Sequence, residues 1–170
     1  MIHAYFSGDK TFSNTQESFS LYEKSCFGEK KEGRIEYSSF EALFLLQEKK
    51  IQILSNKKPL SFDFLLKKIK KHDKRIDIKL TAFSDLRKRG YIIKTALKYG
   101  ADFRVYEKGY KPSESHARWL LFAVKESSPL SWHEFAAKNR IAHSTKKALL
   151  IAIIDEESDV SYYECQWLRP

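Results

Sequence analysis

Between residues 90 and 147 the chain carries three ionisable side chains, Tyr106, His116 and Lys147, whose types together suit cleavage of RNA without a metal ion. A phenol, an imidazole and an ammonium can take a proton from a ribose 2′-hydroxyl, give one to the departing 5′-oxygen and neutralise the crowded phosphate between them. Each residue also has a plainer account. Tyr106 stands late in the alternating segment FRVYEKG and could be a packed aromatic with its hydroxyl bonded at the rim of a sheet. A free phenol holds its proton to about pH 10, although a neighbouring cation favours the phenolate. His116 follows the polar loop YKPSES and precedes ARWLLFAV, which puts it at a sheet edge. An imidazole there suits proton delivery, since free imidazoles titrate near pH 6.5; on its own it reads more simply as a loop histidine with no task. Lys147 opens the apolar run ALLIAII, so its ammonium must point out past the strand end, because burying it unpaired is costly. Lys146 beside it leaves the choice between the two open on chemistry alone.

Other residues are candidates for holding RNA. Arg104 alternates with Tyr106 and shares its face, which makes it a possible phosphate contact. Arg140, in NRIAHS, could stack its guanidinium plane on an unpaired base, or be an ordinary surface arginine at a helix end. His143 reads as a locally packed histidine, and His3, His72 and His133 carry no spacing signal.

The elements that must position these groups follow from periodicity and punctuation. Residues 2–6 and 18–22 read as short strands and GEKKEG as a charged turn. Ser38 or Ser39 caps a helix whose apolar face is Phe40, Leu43, Phe44 and Leu46. Residues 51–54 read as a strand ending in the turn SNKKP, and Ser61 caps a second helix with Phe62, Leu65, Leu66 and Ile69 on one side. Its lysine-rich opposite side is most simply a solvated face. Ile76, Leu80, Phe83 and Leu86 mark an amphipathic helix stopped by Gly90. YIIKTAL, FRVYEKG and HARWLLFAV read as three strands, with KYGAD a turn. Ser131 with Glu134 forms a capping box, opening a helix from about residue 132 toward 142. ALLIAII reads as a strand covered on both faces, EES as a turn and DVSYYECQWL as the last strand. The expected architecture is α/β (α+β): a small N-terminal α+β domain over residues 1–75, then a C-terminal mixed-sheet domain over residues 76–170.

Composition narrows the class. At 170 residues, 42% hydrophobic and 14% aromatic, the chain can bury real cores and is globular. Its net charge of +9 favours a polyanionic partner. Cys26 and Cys165, distant in sequence, form neither a metal pattern nor a disulfide framework. No membrane span and no secretory signal are expected, and a cytoplasmic location is.

The stretch RGYIIKTALKYGADFRVYEKG, with IAHSTKKALLIAIIDEESD and SYYECQWLRP, resembles the archaeal tRNA-splicing endonuclease family, that is, the catalytic subunit of tRNA-intron endonuclease. The first half is similar more loosely, through SSFEALFLLQEKK and KKPLSF. The resemblance implies a restriction-endonuclease-like catalytic domain, with Tyr106 as general base, His116 as general acid and Lys147 as the charge stabiliser. It selects Lys147 over Lys146 and assigns Arg140 to a bulge nucleotide. It implies transesterification within RNA, leaving 2′,3′-cyclic phosphate and 5′-hydroxyl ends, with no cofactor and no metal. The implied substrate is an intron-containing precursor tRNA recognised as a helix flanked by two bulges. The acidic loop of Asp155, Glu156, Glu157 and Asp159 would dock into a neighbouring subunit. The last strand, with Tyr163, Cys165, Trp167 and Leu168 unusual on a bare edge, would pair across a dimer, in a homotetramer or in a heterotetramer with a structural subunit.

Three rivals stand beside this reading. A metal-dependent nuclease would draw on Asp102, Glu107 and Lys108, but these crowd one segment, and no Glu-x-Lys follows at hairpin distance. A non-catalytic, structural RNA-binding subunit of the same assembly would keep the fold and lose the three groups, all of which are present. A plain RNA-binding module would bind without cleaving.

Overall fold

In a computed structural model that describes residues 1–168, the chain divides into two compact units, the first over Met1–Ile76 and the second from Asp77 onward. Arg169 and Pro170, the end of the SYYECQWLRP segment, lie outside the described residues.

The first unit runs β1 (Ile2–Ser7), β2 (Lys10–Ser13), α1 (Gln16–Ser25), β3 (Glu29–Lys31), β4 (Arg34–Tyr37), α2 (Ser39–Gln47), β5 (Ile51–Ser55), β6 (Lys58–Pro59) and α3 (Phe62–Lys70). Its strands form one sheet in the order β3-β4-β2-β1-β5-β6, with β1 and β5 parallel. Period-two alternation turns Ile2 and Ala4 inward and His3 and Tyr5 outward. Residues 18–22, expected as a strand, are instead the middle of α1. Thr15 caps that helix by accepting from the Ser18 amide, and the Ser18 hydroxyl donates back to the Thr15 carbonyl at 2.6 Å. This local capping outweighs the strand preference of Phe19 and Tyr22. GEKKEG is more than a turn: β3 and β4 form a hairpin around Glu32 and Gly33, both at positive φ. In α2 the capping-box carboxylate Glu41 is buried, and it accepts from the Ser38 amide, the Ser38 hydroxyl and the Gly28 amide.

The second unit runs α4 (Ile76–Lys88), β7 (Ile92–Thr95), a 3-10 turn (Leu97–Tyr99), β8 (Phe103–Tyr106), β9 (Trp119–Lys125), α5 (Trp132–Ser144), β10 (Ala148–Ile154) and β11 (Val160–Cys165). The sheet order is β11-β10-β9-β8-β7; β9 and β10 are parallel and the other neighbours antiparallel. This is the mixed sheet expected of an α+β fold. One face of the sheet carries Leu120, Phe122, Leu149 and Ile151, packed with Ala142 of α5 and with Ala96 and Ala101 beside the 3-10 turn. On the opposite face Phe103 meets Phe83 of α4 with ring centroids 5.6 Å apart, and the Tyr162 hydroxyl donates to Asp85 of α4 at 2.8 Å. With helices on both sides, β9 and β10 are apolar at successive positions rather than at alternate ones. Two strands are shorter than the sequence pattern suggests. HARWLLFAV becomes a strand only at Trp119, and the last strand stops at Cys165. Trp167 is therefore not on the strand edge; its ring packs edge-on against His143, with centroids 4.4 Å apart.

Candidate active site

Strand direction decides which residues can meet. Because β8 is antiparallel to β9 and β9 parallel to β10, the end of β8 lies beside the beginnings of β9 and β10. Val105, Trp119 and Ala148 sit in one row across the three strands. One step outward, the Arg118 amide donates to the Val105 carbonyl at 3.0 Å and the Ala148 amide to the Arg118 carbonyl at 3.0 Å. Tyr106 and Lys147 therefore flank Arg118 at the same end of the sheet. With strands about 4.8 Å apart, their backbones are roughly 10 Å from each other. His116 is exposed, two residues before Arg118, in the loop that returns from β8 to β9. The three groups singled out in the sequence thus come from one end of one sheet.

Tyr106 is buried, with 4% of its surface exposed. Lys147 is half-buried; its Nζ donates to the Thr145 carbonyl at 2.9 Å and lies 5.3 Å from the Tyr99 ring centroid. The way α5 ends explains why Lys147 and not Lys146 takes this place. Lys146 adopts the left-handed conformation with φ of 56°, its amide donates to the His143 carbonyl, and the Lys147 amide donates to the Ala142 carbonyl. This is the Schellman arrangement. It turns the chain sharply, leaves Lys146 exposed and delivers Lys147 to the root of β10.

Arg104 lies two residues further into the sheet, opposite Lys94 and Leu120, with its Nε buried and without a hydrogen-bond partner. Arg140 is exposed on α5, one turn before that helix ends. The acidic loop caps the opposite end of β10. Asp155 accepts from the Asp159 amide at 2.8 Å, while Glu156 and Glu157 are exposed. Seven strand residues separate this loop from Lys147, roughly 26 Å, so it cannot reach the site of its own sheet.

Residues the sequence did not single out close the site from the side. Arg118 pairs with Glu107, lies 3.6 Å from Glu164 of β11 and stacks over the Trp119 ring at 4.6 Å. Glu164 also accepts from the Trp119 indole at 2.6 Å and the Gln166 amide at 2.7 Å. These donors, the indole first, hold the Glu164 carboxyl below its ordinary range, and the pairing with Glu107 pushes the Arg118 guanidinium further up. Only the position of Arg118, two residues after His116, could have drawn attention to it; Glu164 gave no signal. The carboxylates of the metal-dependent rival do not assemble. Asp102 precedes β8 and Glu107 follows it, so they stand at opposite ends of that strand, about 16 Å apart. Asp102 is already engaged by the Ala123 amide at 2.9 Å and by Lys79 at 3.4 Å.

Comparison with known proteins extends the picture to both units. Residues 76–162 match the family model described as tRNA intron endonuclease, catalytic C-terminal domain, and residues 2–66 match the one described as tRNA intron endonuclease, N-terminal domain. The tRNA-splicing endonuclease of Thermococcus kodakarensis is 39% identical over 99% of both chains. That of Thermococcus gammatolerans is 38% identical over 99% of both, and that of Pyrococcus abyssi 37% identical over 99% of this chain and 98% of its own. The likeness, which in the sequence was carried mainly by the second half, spans the first half as well.

Proposed function

Because the chain belongs to the tRNA intron endonuclease family, we propose that it is the endoribonuclease of precursor-tRNA splicing and cuts at bulge-helix-bulge junctions by metal-independent transesterification. The ribose 2′-oxygen attacks the adjacent phosphorus and the bond to the 5′-oxygen breaks. The 2′-hydroxyl proton passes to the oxygen of Tyr106, which acts as general base in its phenolate form, and His116 in its imidazolium form donates a proton to the departing 5′-oxygen. Lys147 stabilises the charge that builds on the non-bridging oxygens. An ammonium has three donors, so the bond from Lys147 to the Thr145 carbonyl leaves two for phosphate. Nucleophile and phosphorus belong to the same nucleotide, so the protein's task is to orient them and to move protons. The products are a 2′,3′-cyclic phosphate and a 5′-hydroxyl.

The observation that carries this reading is the strand register, with Tyr106 and Lys147 flanking Arg118 and His116 two residues beyond. Arg140 on α5 and Arg104 in β8 are the proposed RNA contacts. The loop of Asp155, Glu156, Glu157 and Asp159, remote from its own site and exposed, is proposed to dock on a second subunit. The decisive test uses a bulged precursor tRNA. His116→Ala is expected to lower the cleavage rate by about 10²–10⁴-fold while RNA binding persists, and the parent should cut equally well in excess EDTA. Equal cleavage by variant and parent, or loss of activity in EDTA, would sink the mechanism.

A further inference from the structure

The loop 107–118 carries His116, and its two ends meet at the sheet end that holds Tyr106. Glu107 is the residue after Tyr106 and Arg118 the second after His116. Their side chains pair directly across the neck of this loop. On the backbone the neck is closed by the Arg118 amide donating to the Val105 carbonyl at 3.0 Å. The pair does not stand alone. The Arg118 guanidinium rests on the Trp119 ring, and Glu164 comes over from β11 to face it, itself fixed by the Trp119 indole. One guanidinium thus touches the exit of β8, the entry of β9 and the end of β11. Within the loop, Lys108, Gly109, Tyr110 and Glu114 are exposed. The Tyr110 amide donates to the Glu107 carbonyl, and the Glu114 and Ser115 amides to the Lys111 carbonyl, which shapes the loop internally; the Glu107–Arg118 pair is what joins the side chains of its two ends.

We infer that Glu107 and Arg118 are positioning residues: a clamp on the loop neck that sets His116 against Tyr106 across the scissile phosphate. The inference rests on the proposed roles of those two residues. Both clamp residues are about half exposed, at 44% and 47% of their side-chain surface. Such a pair adds little to global stability, because water screens it. Its effect is local. Closing a loop at its neck removes conformations from the whole loop, and proton transfer is sensitive to displacements near 1 Å. The flat guanidinium suits this task, because it can stack on an indole, hydrogen-bond one carboxylate and face a second, here Glu164 at 3.6 Å.

The test is a double-mutant cycle of Glu107→Gln and Arg118→Gln, read in kcat and KM on the bulged precursor tRNA, with His116→Ala run in parallel. Each clamp variant should lower kcat by about 10- to 100-fold with KM within about twofold, melting temperature unchanged. The double variant should be no slower than the slower single, because both remove one interaction. Arg118→Lys, which keeps the charge and loses the stack, should fall between. Three outcomes overturn the clamp: unchanged kcat in both singles; losses that multiply in the double; or a raised KM for Arg118→Gln with the salt slope of RNA affinity reduced by about one, the mark of a phosphate contact. If His116→Ala cleaves like the parent, the proposed roles fail first. If it is inactive and the clamp variants are normal, only the clamp fails.

Discussion

Glu164 shows how one side chain can couple the sheet edge to pH. It accepts from the Trp119 indole and the Gln166 amide and faces Arg118, and these contacts hold its carboxyl below the ordinary value of 4.5. A carboxyl depressed in the folded state contributes stability that is fully present above its unfolded value and disappears as pH falls through the folded one. Stability to denaturant should therefore drop on acidification below about pH 4.5, and part of that drop should vanish in Glu164→Gln. Urea titrations at several pH values check this; an unchanged slope in the variant would show that Glu164 is not the group responsible. Legibility at this scale was uneven. Tyr106, His116 and Lys147 are of types that suit one reaction, but it is the family resemblance of the segments around them that selects them. Arg118 and Glu164 could not be singled out, because a surface arginine and a strand glutamate look ordinary until strand pairing joins them, and Glu107 drew notice only as a metal-ligand candidate.

Chain reversals are where elements set the geometry of the site. α5 ends with Lys146 in the left-handed region, a conformation that costs a side chain about 1–2 kcal/mol relative to glycine. Glycine adds some unfolded-state entropy, so Lys146→Gly should stabilise the protein by about 0.5–1 kcal/mol. Cleavage should persist, because Lys147 keeps its place at the root of β10. Thermal melts and a cleavage assay check both parts; a lower melting temperature would mean that Lys146 makes a contact worth more than the strain. Helix starts were readable in advance at Ser38, Ser61 and Ser131, since a cap is a short-range signal. The cap at Thr15 has no such legible signal, and residues 18–22 of α1 read locally as a strand. Its residues 18–22 alternate serine with Phe19, Leu21 and Tyr22 closely enough to pass for period two, and only the Thr15–Ser18 bonds separate the two readings.

Assembly is the question that belongs to the molecule as a whole. Among the described residues no helix is long and apolar enough to cross a membrane, and the charge of +9 suits an RNA substrate. The outer strand β11 leaves Tyr163 57% exposed, and just past it Trp167 and Leu168 are 52% and 81% exposed. Edges of this kind usually pair with something. A mass measurement should give a multiple of the 20.0 kDa chain, and Tyr163→Glu, which puts a charge at an exposed apolar position of the edge strand, should shift the distribution toward smaller species. A monomer at micromolar concentration would remove the case for pairing through β11. Whether a multiple is four copies of this chain or includes a structural partner is read from the same measurement on a co-purified sample.

The amino-acid sequence determined by itself the kinds of chemistry available, the helix caps at Ser38, Ser61 and Ser131, and the twice-covered strand ALLIAII. Each of these follows from residue type or from spacing within one turn or one strand. The tertiary structure alone decided that Tyr106, His116 and Lys147 share one sheet end, that Asp102 and Glu107 do not, and that Arg118 stands between Tyr106 and Lys147 in the strand register. Strand order and direction fix those relations. They arise from pairing between segments tens of residues apart, where local periodicity carries no information.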